Sequence, residues 1–220
     1  KKEVFFWSVT VALAGLLFGL DTAVISGAEQ AIQRVWNLTD VEHGLAIAAA
    51  LYGTVVGALL GGLPADRFGR KPTLLAIGVL FLLSAFGSAV AGSVGTFTVF
   101  RFLGGLAIGS ASVSAPLYIS EVAPAAQRGR LVALFQFNIV FGILLAYVAN
   151  YFIAQTSLEN AWRYMLGWVG LPSLLYSVAV FFIPESPRWL VVKRNNLAEA
   201  ERTLRRIDPA TAPAVLDSIL

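Results

Sequence analysis

Residues 16–28 read LLFGLDTAVISGA and place one acidic side chain, Asp21, in an apolar run with no other charge between Val4 and Glu29. A run of this length is long enough to cross a lipid bilayer as a helix. A charged side chain inside such a span costs at least ~2.5 kcal/mol on insertion scales, and by default it marks a functional site. The partner of Asp21 is therefore the first feature to look for in the rest of the chain.

The composition is that of an integral membrane protein. Of the 220 residues, 57% are hydrophobic and 13% are charged, against about 25% charged residues in soluble domains. Mean hydropathy is +0.75. The basic residues cluster at the ends of apolar runs, which indicates membrane topology and not nucleic-acid binding. The sequence has one histidine, no cysteine and neither an HExxH nor a G-x-S-x-G motif, so we expect no metal site, no cofactor and no enzyme.

Six apolar runs predict an all-α fold with six transmembrane helices. The predicted spans cover residues 4–28, 40–63, 72–91, 97–119, 131–155 and 162–183. The sequence TDVE at 39–42 is a capping box that predicts the start of the second helix. Residues 61–71, GGLPADRFGRK, are glycine-rich and predict a tight loop. Lys and Arg are concentrated in alternate loops, so the positive-inside rule places both termini in the cytoplasm.

The character of the chain changes after the sixth span. We expect a six-span bundle over residues 1–184 and a cytosolic segment over 185–220. Residues 196–207 have the apolar stripe of an amphipathic helix, and residues 214–220 form a second short apolar segment. Within the spans, glycines recur four residues apart at 15 and 19, 53, 57 and 61, and 105 and 109. That spacing is typical of closely packed membrane helices.

Arg101 is the second charged side chain inside a span. It lies about five residues from the outer end of the fourth predicted span, and Asp21 lies about seven residues from the outer end of the first. The two reach a similar depth, which favours a buried ion pair that protonation of Asp21 can switch. The alternative is that Arg101 extends outward along its apolar stem and Asp21 is a structural acid.

Five motifs lie in order along the chain, namely GLDTAVISGA at 19–28, ADRFGRK at 65–71, RFLGGLAIG at 101–109, YISEVAPAAQRGR at 118–130 and PESPRWL at 184–190. Together they resemble the sugar porter family of the major facilitator superfamily. The resemblance implies a fold of twelve spans in two halves, each an inverted 3+3 repeat. It covers the amino-terminal half, so the implied partner is a missing carboxy-terminal half or a second copy. It also implies a monosaccharide substrate, the proton as coupling ion and a bacterial inner membrane as location.

The resemblance also implies roles for individual residues. Asp21 matches the proton-carrying acid of coupled members, and Arg101 matches its partner. Phe18 and Gln136 match sugar-binding positions, and Ile143 stands where xylose carriers have a glutamine, which tilts the expected substrate toward hexose. A cytoplasmic charge network is implied for Asp66, Arg67, Arg70, Glu121, Arg130, Glu185 and Arg188.

The function predicted from the sequence is therefore the amino-terminal half of a proton-coupled hexose transporter that works by alternating access. Two alternatives stay open at this point. One is an uncoupled sugar facilitator of the same family. The other is a six-helix membrane module that does not transport or that pairs with itself.

Overall fold

The chain is described here by a computed structural model that covers residues 2–156 and 158–220. Within those residues eleven helices and no strands are present. The helices are α1 (Lys2–Val35), α2 (Asp40–Leu60), α3 (Gly62–Phe68), α4 (Arg70–Val90), α5 (Val94–Val122), α6 (Arg128–Ala154), α7 (Ala161–Gly167), α8 (Gly170–Phe181), α9 (Pro187–Arg194), α10 (Leu197–Ile207) and α11 (Ala212–Ile219). Six segments are long and apolar enough to span a bilayer, namely α1, α2, α4, α5, α6 and α7 with α8. The six predicted spans are confirmed.

Helices α2 and α5 pack against each other through glycines on both sides. A Cβ atom added to Gly53 would overlap the carbonyl oxygen of Phe102, and one added to Gly105 would overlap that of Ala50. Backbone therefore meets backbone along this pair, as the glycine spacing predicts.

Helices α1 and α6 form the second close pair in the same way. A Cβ atom on Gly19 would overlap the carbonyl oxygen of Ile139, and one on Gly142 would overlap that of Leu16. Taking α1, α2 and α4 as one triplet and α5, α6 and α7–α8 as the next, the first helix of each triplet packs on the second helix of the other. This exchanged pairing is the inverted 3+3 arrangement, and the predicted fold class is confirmed.

Two local predictions need correction. Residues 61–71 are not simply a loop, because α3 occupies most of them. Pro64 sits in the first turn of α3, where its missing N–H has no intrahelical bond to lose, and Gly69 ends the segment with φ 114°. The sixth span is broken between α7 and α8, since Pro172 cannot donate to the carbonyl of Trp168. Leu171 N donates to that carbonyl instead, at 3.1 Å.

The segment after residue 184 forms three short helices, and two of their starts are capped by side chains. Ser186 accepts from Trp189 N at 3.3 Å, and Asn196 accepts from Glu199 N at 3.2 Å. Both predicted amphipathic segments are helical. Arg206 of α10 donates to the Glu3 carboxylate at 3.0 Å, so this segment is held against the start of α1. The domain division at residue 184 stays a prediction.

Candidate functional site

Asp21 and Arg101 form an ion pair in the interior of the helix bundle. Arg101 Nη1 donates to Asp21 Oδ1 at 3.0 Å, and Arg101 Nη2 donates to the main-chain oxygen of Asp21 at 3.1 Å. Each side chain is 3% exposed. The pairing that equal depth suggests is present, and the alternative of an outward-reaching Arg101 does not describe this structure.

The two charges are positioned by different helices, α1 and α5, that run in opposite directions through the bundle. The attraction between the two charges is strong, because a buried ion pair is poorly screened and each ion has already lost its water. Protonation of Asp21 would neutralise the carboxylate and leave Arg101 without its counter-ion. The arrangement can therefore convert a change in proton occupancy into a change in the force that holds α1 against α5.

A cavity of about 300 Å³ lies next to this ion pair, between α1, α2 and α5. Arg101 reaches its wall, so the buried pair adjoins an open space. The other lining residues are Phe18, Thr22, Ile25, Ile47, Ala50, Leu51, Thr54 and Ile108. This wall is mainly apolar. Its polar groups are Arg101, which is paired with Asp21, and the hydroxyls of Thr22 and Thr54, which donate to main-chain oxygens of their own helices at 2.8 Å.

The predicted sugar-binding residues are not all at this cavity. Phe18 is on its wall, whereas Gln136 and Ile143 are on α6 and do not line it. Gln136 is exposed, and Ile143 is partly buried against the main core. Phe18 and Arg101 therefore line one cavity, whereas Gln136 is exposed on α6 and lies outside the cavity lining.

Arg70 is the centre of a charge cluster at the opposite end of the bundle. Its Nε and Nη2 atoms donate to the two carboxylate oxygens of Glu121, each at 3.0 Å, and its Nη1 donates to Asp66 Oδ1 at 3.0 Å. Bidentate pairing of this kind fixes the orientation of both groups. The side chain of Arg70 is 9% exposed and that of Glu121 5%, so this pair joins α4 and α5 in a shielded position, whereas Asp66 on α3 is 60% exposed.

Glu185 enters the cluster through backbone atoms. Its Oε1 accepts from the N–H groups of Arg70, Lys71 and Ser186 at 3.0, 3.2 and 2.7 Å. These donors include the first N–H groups of α4, where a carboxylate is favoured by the helix dipole. Burial nevertheless raises the pKa of Glu185, against the opposing effect of the three N–H donors and of the Arg70 charge.

Three other predicted members of the network lie outside these hydrogen bonds, although Arg188 lines a cavity together with Asp66 and Arg70. Arg67, Arg130 and Arg188 are exposed and make no ion pair with the described residues. Two residues that were not predicted do contribute. Trp189 Nε1 donates to the main-chain oxygen of Asp66, and the Tyr118 hydroxyl donates to that of Pro184, each at 2.9 Å. Trp189 belongs to the PESPRWL motif, so the sequence does contain an indication that this residue contributes to the cluster.

No group of three or more His, Cys, Asp or Glu side chains in the described ranges could hold a metal ion. In the Arg70 cluster the charged groups pair with one another, whereas at the Asp21–Arg101 pair Asp21 Oδ2 and Arg101 Nε have no hydrogen-bond partner among the described residues. The chemistry available to the two sites is therefore ion pairing, hydrogen bonding and proton exchange.

Comparison with known proteins agrees with this architecture. The family model described as sugar (and other) transporter matches residues 7–216. The chain is 39% identical over 238 aligned residues to the D-xylose-proton symporter of Escherichia coli, covering 94% of this chain and 48% of that protein. It is 42% identical over 228 residues to the glucose transport protein of Synechocystis, covering 99% and 48% respectively.

A solved structure of the proton:xylose symporter XylE, bound to 6-bromo-6-deoxy-D-glucose, superimposes with a TM-score of 0.94 at 38% identity. The match covers 99% of this chain and 52% of that one. The chain therefore spans about half the length of the relatives it matches. From the extent of the family match and the shared helical architecture, the chain belongs to the sugar (and other) transporter family.

Proposed function

We infer that the chain acts as the amino-terminal half of a proton-coupled sugar transporter that works by alternating access. The observation that carries this inference is the buried Asp21–Arg101 pair at the edge of a small cavity. An intramembrane acid with one basic partner is the arrangement expected of a proton relay in a transporter. A purely structural ion pair is a poor way to gain stability, since desolvation offsets most of the attraction.

The proposed cycle follows from the charge of Asp21. Protonation weakens the pair with Arg101, and that shifts the balance between two arrangements of the bundle. A sugar that binds one arrangement more tightly biases the same balance. The Arg70 cluster stabilises the arrangement in which α3, α4 and α5 are joined at the basic end, which we assign to the cytoplasm from its excess of Lys and Arg.

A second six-helix half completes the site in this proposal. Arg101 reaches the wall of a cavity, and a charged group within the membrane faces protein or water and not lipid. The exposed Gln136 is also out of place against lipid. Both residues are explained if a second half covers this face, with the sugar held between the halves. A carboxy-terminal half fits the length of the relatives, and self-pairing of two copies is the alternative.

The substrate class we propose is a monosaccharide, with hexose favoured over pentose. Phe18 provides an apolar wall, and Gln136 provides an amide that can bond hydroxyl groups once a second half closes over it. Ile143 stands where the resemblance places a glutamine in xylose carriers, so this chain has one hydrogen-bonding side chain fewer at that position. A relative that covers almost the whole chain is a glucose transport protein.

The test uses the native gene product in proteoliposomes with an imposed pH gradient. We expect labelled glucose to accumulate with the gradient, and Asp21→Asn to abolish accumulation while sugar exchange across the membrane continues. Asp40→Asn is the matched control, because it changes an exposed Asp at the start of α2. Accumulation by Asp21→Asn equal to that by Asp40→Asn would reject Asp21 as the proton carrier, and a wild type that equilibrates glucose without accumulating it would reject coupling and leave an uncoupled facilitator. Faster uptake of xylose than glucose would reject the hexose assignment.

The need for a second half is tested separately on the 220-residue chain. Its mass in detergent and its affinity for glucose are measured together. A monomer without measurable glucose binding supports a site shared with another half. A dimer that accumulates glucose would instead establish self-pairing.

A further inference from the structure

The carboxyl group of Asp21 is only half satisfied by Arg101. Oδ1 accepts from Arg101 Nη1, whereas Oδ2 is buried and makes no hydrogen bond with any described residue. A buried carboxylate oxygen without a donor is costly, and such an atom calls for an explanation. The oxygen that Arg101 leaves free is also the one on which a proton can be held without first breaking the ion pair.

Ser84 on α4 offers a hydroxyl that is equally free. Its residue exposure is 0%, and Oγ has no hydrogen-bond partner. Buried Ser and Thr residues in membrane helices normally donate to the carbonyl four residues earlier. Thr73, Ser173 and Ser177 do so here, each at 2.8 Å. Ser84 does not, so its hydroxyl remains available to a neighbouring helix.

Gly104 on α5 leaves the space in which these two free groups meet. A Cβ atom at Gly104 would stand 3.2 Å from Asp21 Oδ2 and would overlap Ser84 Oγ. Both atoms therefore lie beside the Cα atom of Gly104, which has no side chain to separate them. Asp21 and Ser84 are both buried, so the two unpartnered polar atoms are shielded from the surrounding lipid.

We propose that Ser84 is the second partner of Asp21 in the proton switch. Its hydroxyl donates to Oδ2 when Asp21 is ionised and accepts from Oδ2–H when Asp21 is protonated. Ser84 is a positioning residue in this scheme, since it holds the proton-carrying oxygen and does not touch the sugar. The proposal rests on the proton-coupled function inferred above and names a further part of that site.

The other charged and phenolic groups of α4, α5 and α6 are engaged elsewhere or exposed. Arg101 Nη1 already donates to Asp21 Oδ1, and Glu121, also on α5, pairs with Arg70. Residues 72–90 of α4 and 131–154 of α6 contain no Asp, Glu, Lys, Arg or His. Tyr118 on α5 donates to the main-chain oxygen of Pro184, and Tyr147 and Tyr151 on α6 are exposed. Arg101 Nε and the hydroxyl of Tyr176 on α8 are also buried and unpartnered, but Ser84 Oγ is the hydroxyl that the geometry at Gly104 places beside Oδ2.

The test is infrared difference spectroscopy of the native gene product in proteoliposomes, recorded between low and high pH. The bands of Asp21 are those that disappear in Asp21→Asn. We expect Ser84→Ala to move the protonated C=O stretch to higher wavenumber and to alter the carboxylate stretches of the ionised form. Ser84→Thr keeps the hydroxyl and should retain the wild-type bands.

Two further variants separate a specific contact from a packing effect. Ser88→Ala removes a hydroxyl that is equally buried and also unpartnered, one turn away on the same helix, and should leave the Asp21 bands unchanged. Gly104→Ala adds a methyl group that would overlap Ser84 Oγ, so it displaces the hydroxyl and should reproduce the spectrum of Ser84→Ala with Ser84 intact. Asp21 bands that do not change in Ser84→Ala, or that change equally in Ser88→Ala, would overturn the proposal.

Transport gives a second readout. Ser84→Ala should reduce proton-driven sugar accumulation about fivefold to tenfold, the size expected for one buried hydrogen bond, and leave sugar exchange unchanged. If Asp21→Asn abolishes accumulation while Ser84→Ala matches wild type in both accumulation and spectrum, the role of Ser84 is refuted and the coupled function stands. If Asp21→Asn accumulates sugar normally, the role of Asp21 in coupling is refuted, and the carboxylate bands alone then decide whether Ser84 contacts Asp21.

Discussion

Replacing Arg101 and Asp21 by apolar residues, singly and together, should show that the two side chains act as one unit. The variants are Arg101→Met, Asp21→Leu and the double mutant. Each single change leaves one ion in the bundle without its partner. The double change leaves two apolar side chains of similar volume in place of the pair.

The magnitude follows from the burial and geometry of the pair. Both side chains are 3% exposed, and their closest N–O distance is 3.0 Å. Loss of one partner of a buried ion pair costs about 3–5 kcal/mol, whereas replacement of both by apolar residues is often close to neutral. We therefore expect each single variant to be less stable than the double variant, with an interaction energy of about 3 kcal/mol or more.

The assay is equilibrium unfolding in mixed detergent micelles, followed by circular dichroism for the four proteins. An exposed pair on α10 provides the control. Glu201 and Arg205 lie 2.7 Å apart, but their side chains are 39% and 63% exposed. The corresponding single and double replacements there should therefore give an interaction energy of about 0.3–0.5 kcal/mol. Additive losses at Asp21 and Arg101, or an interaction energy as small as that on α10, would refute the reasoning.

Two further outcomes are expected from the packing and the charge cluster. Gly53→Ala should lower stability by about 1–3 kcal/mol, because its Cβ would overlap the Phe102 carbonyl oxygen. Gly44→Ala on the same helix meets no atom within 4 Å and should be neutral or stabilising by up to about 1 kcal/mol, so equal melting temperatures for the two would contradict the close packing. Burial raises the pKa of Glu185 above its ordinary 4.5. The stabilisation that arises from this raised pKa is therefore complete below pH 4.5 and is lost as pH rises through the folded-state pKa. Glu185→Gln should flatten that part of the melting temperature–pH curve, and an unchanged slope would assign the dependence to another group.

The sequence predicts the helices well where one physical signal dominates. Apolar length alone located all six spans, and the Thr39 capping box is present, with Thr39 N donating to Glu42 at 2.9 Å. Pairing of Asp21 with Arg101 could be predicted because rise per residue converts position in a span into depth. The break in the sixth span was missed, since hydropathy does not register a proline that removes one backbone donor.

The arrangement of the sites was harder to predict because it depends on which helix faces which. Nothing in the local sequence distinguishes Ser84 from other serines in apolar runs, because its neighbours Gly104 and Asp21 lie on other helices. Charge identity likewise does not say whether a carboxylate will bind a guanidinium, as Glu121 does, or backbone N–H groups, as Glu185 does. Partners of this kind are fixed by three-dimensional packing, which no local pattern encodes.

The exchanged pairing of the helices has a consequence for how the protein is made. Helix α1 finds its glycine-packed partner in α6, and α2 finds its partner in α5, so neither contact can form while only the first three spans have left the ribosome. The first three spans must therefore remain in the bilayer as stable but loosely associated helices until the second triplet is synthesised. Translation of the second triplet then closes both contacts, and a nascent chain that stops before α6 leaves the Gly15 and Gly19 face of α1 open to the wrong neighbour.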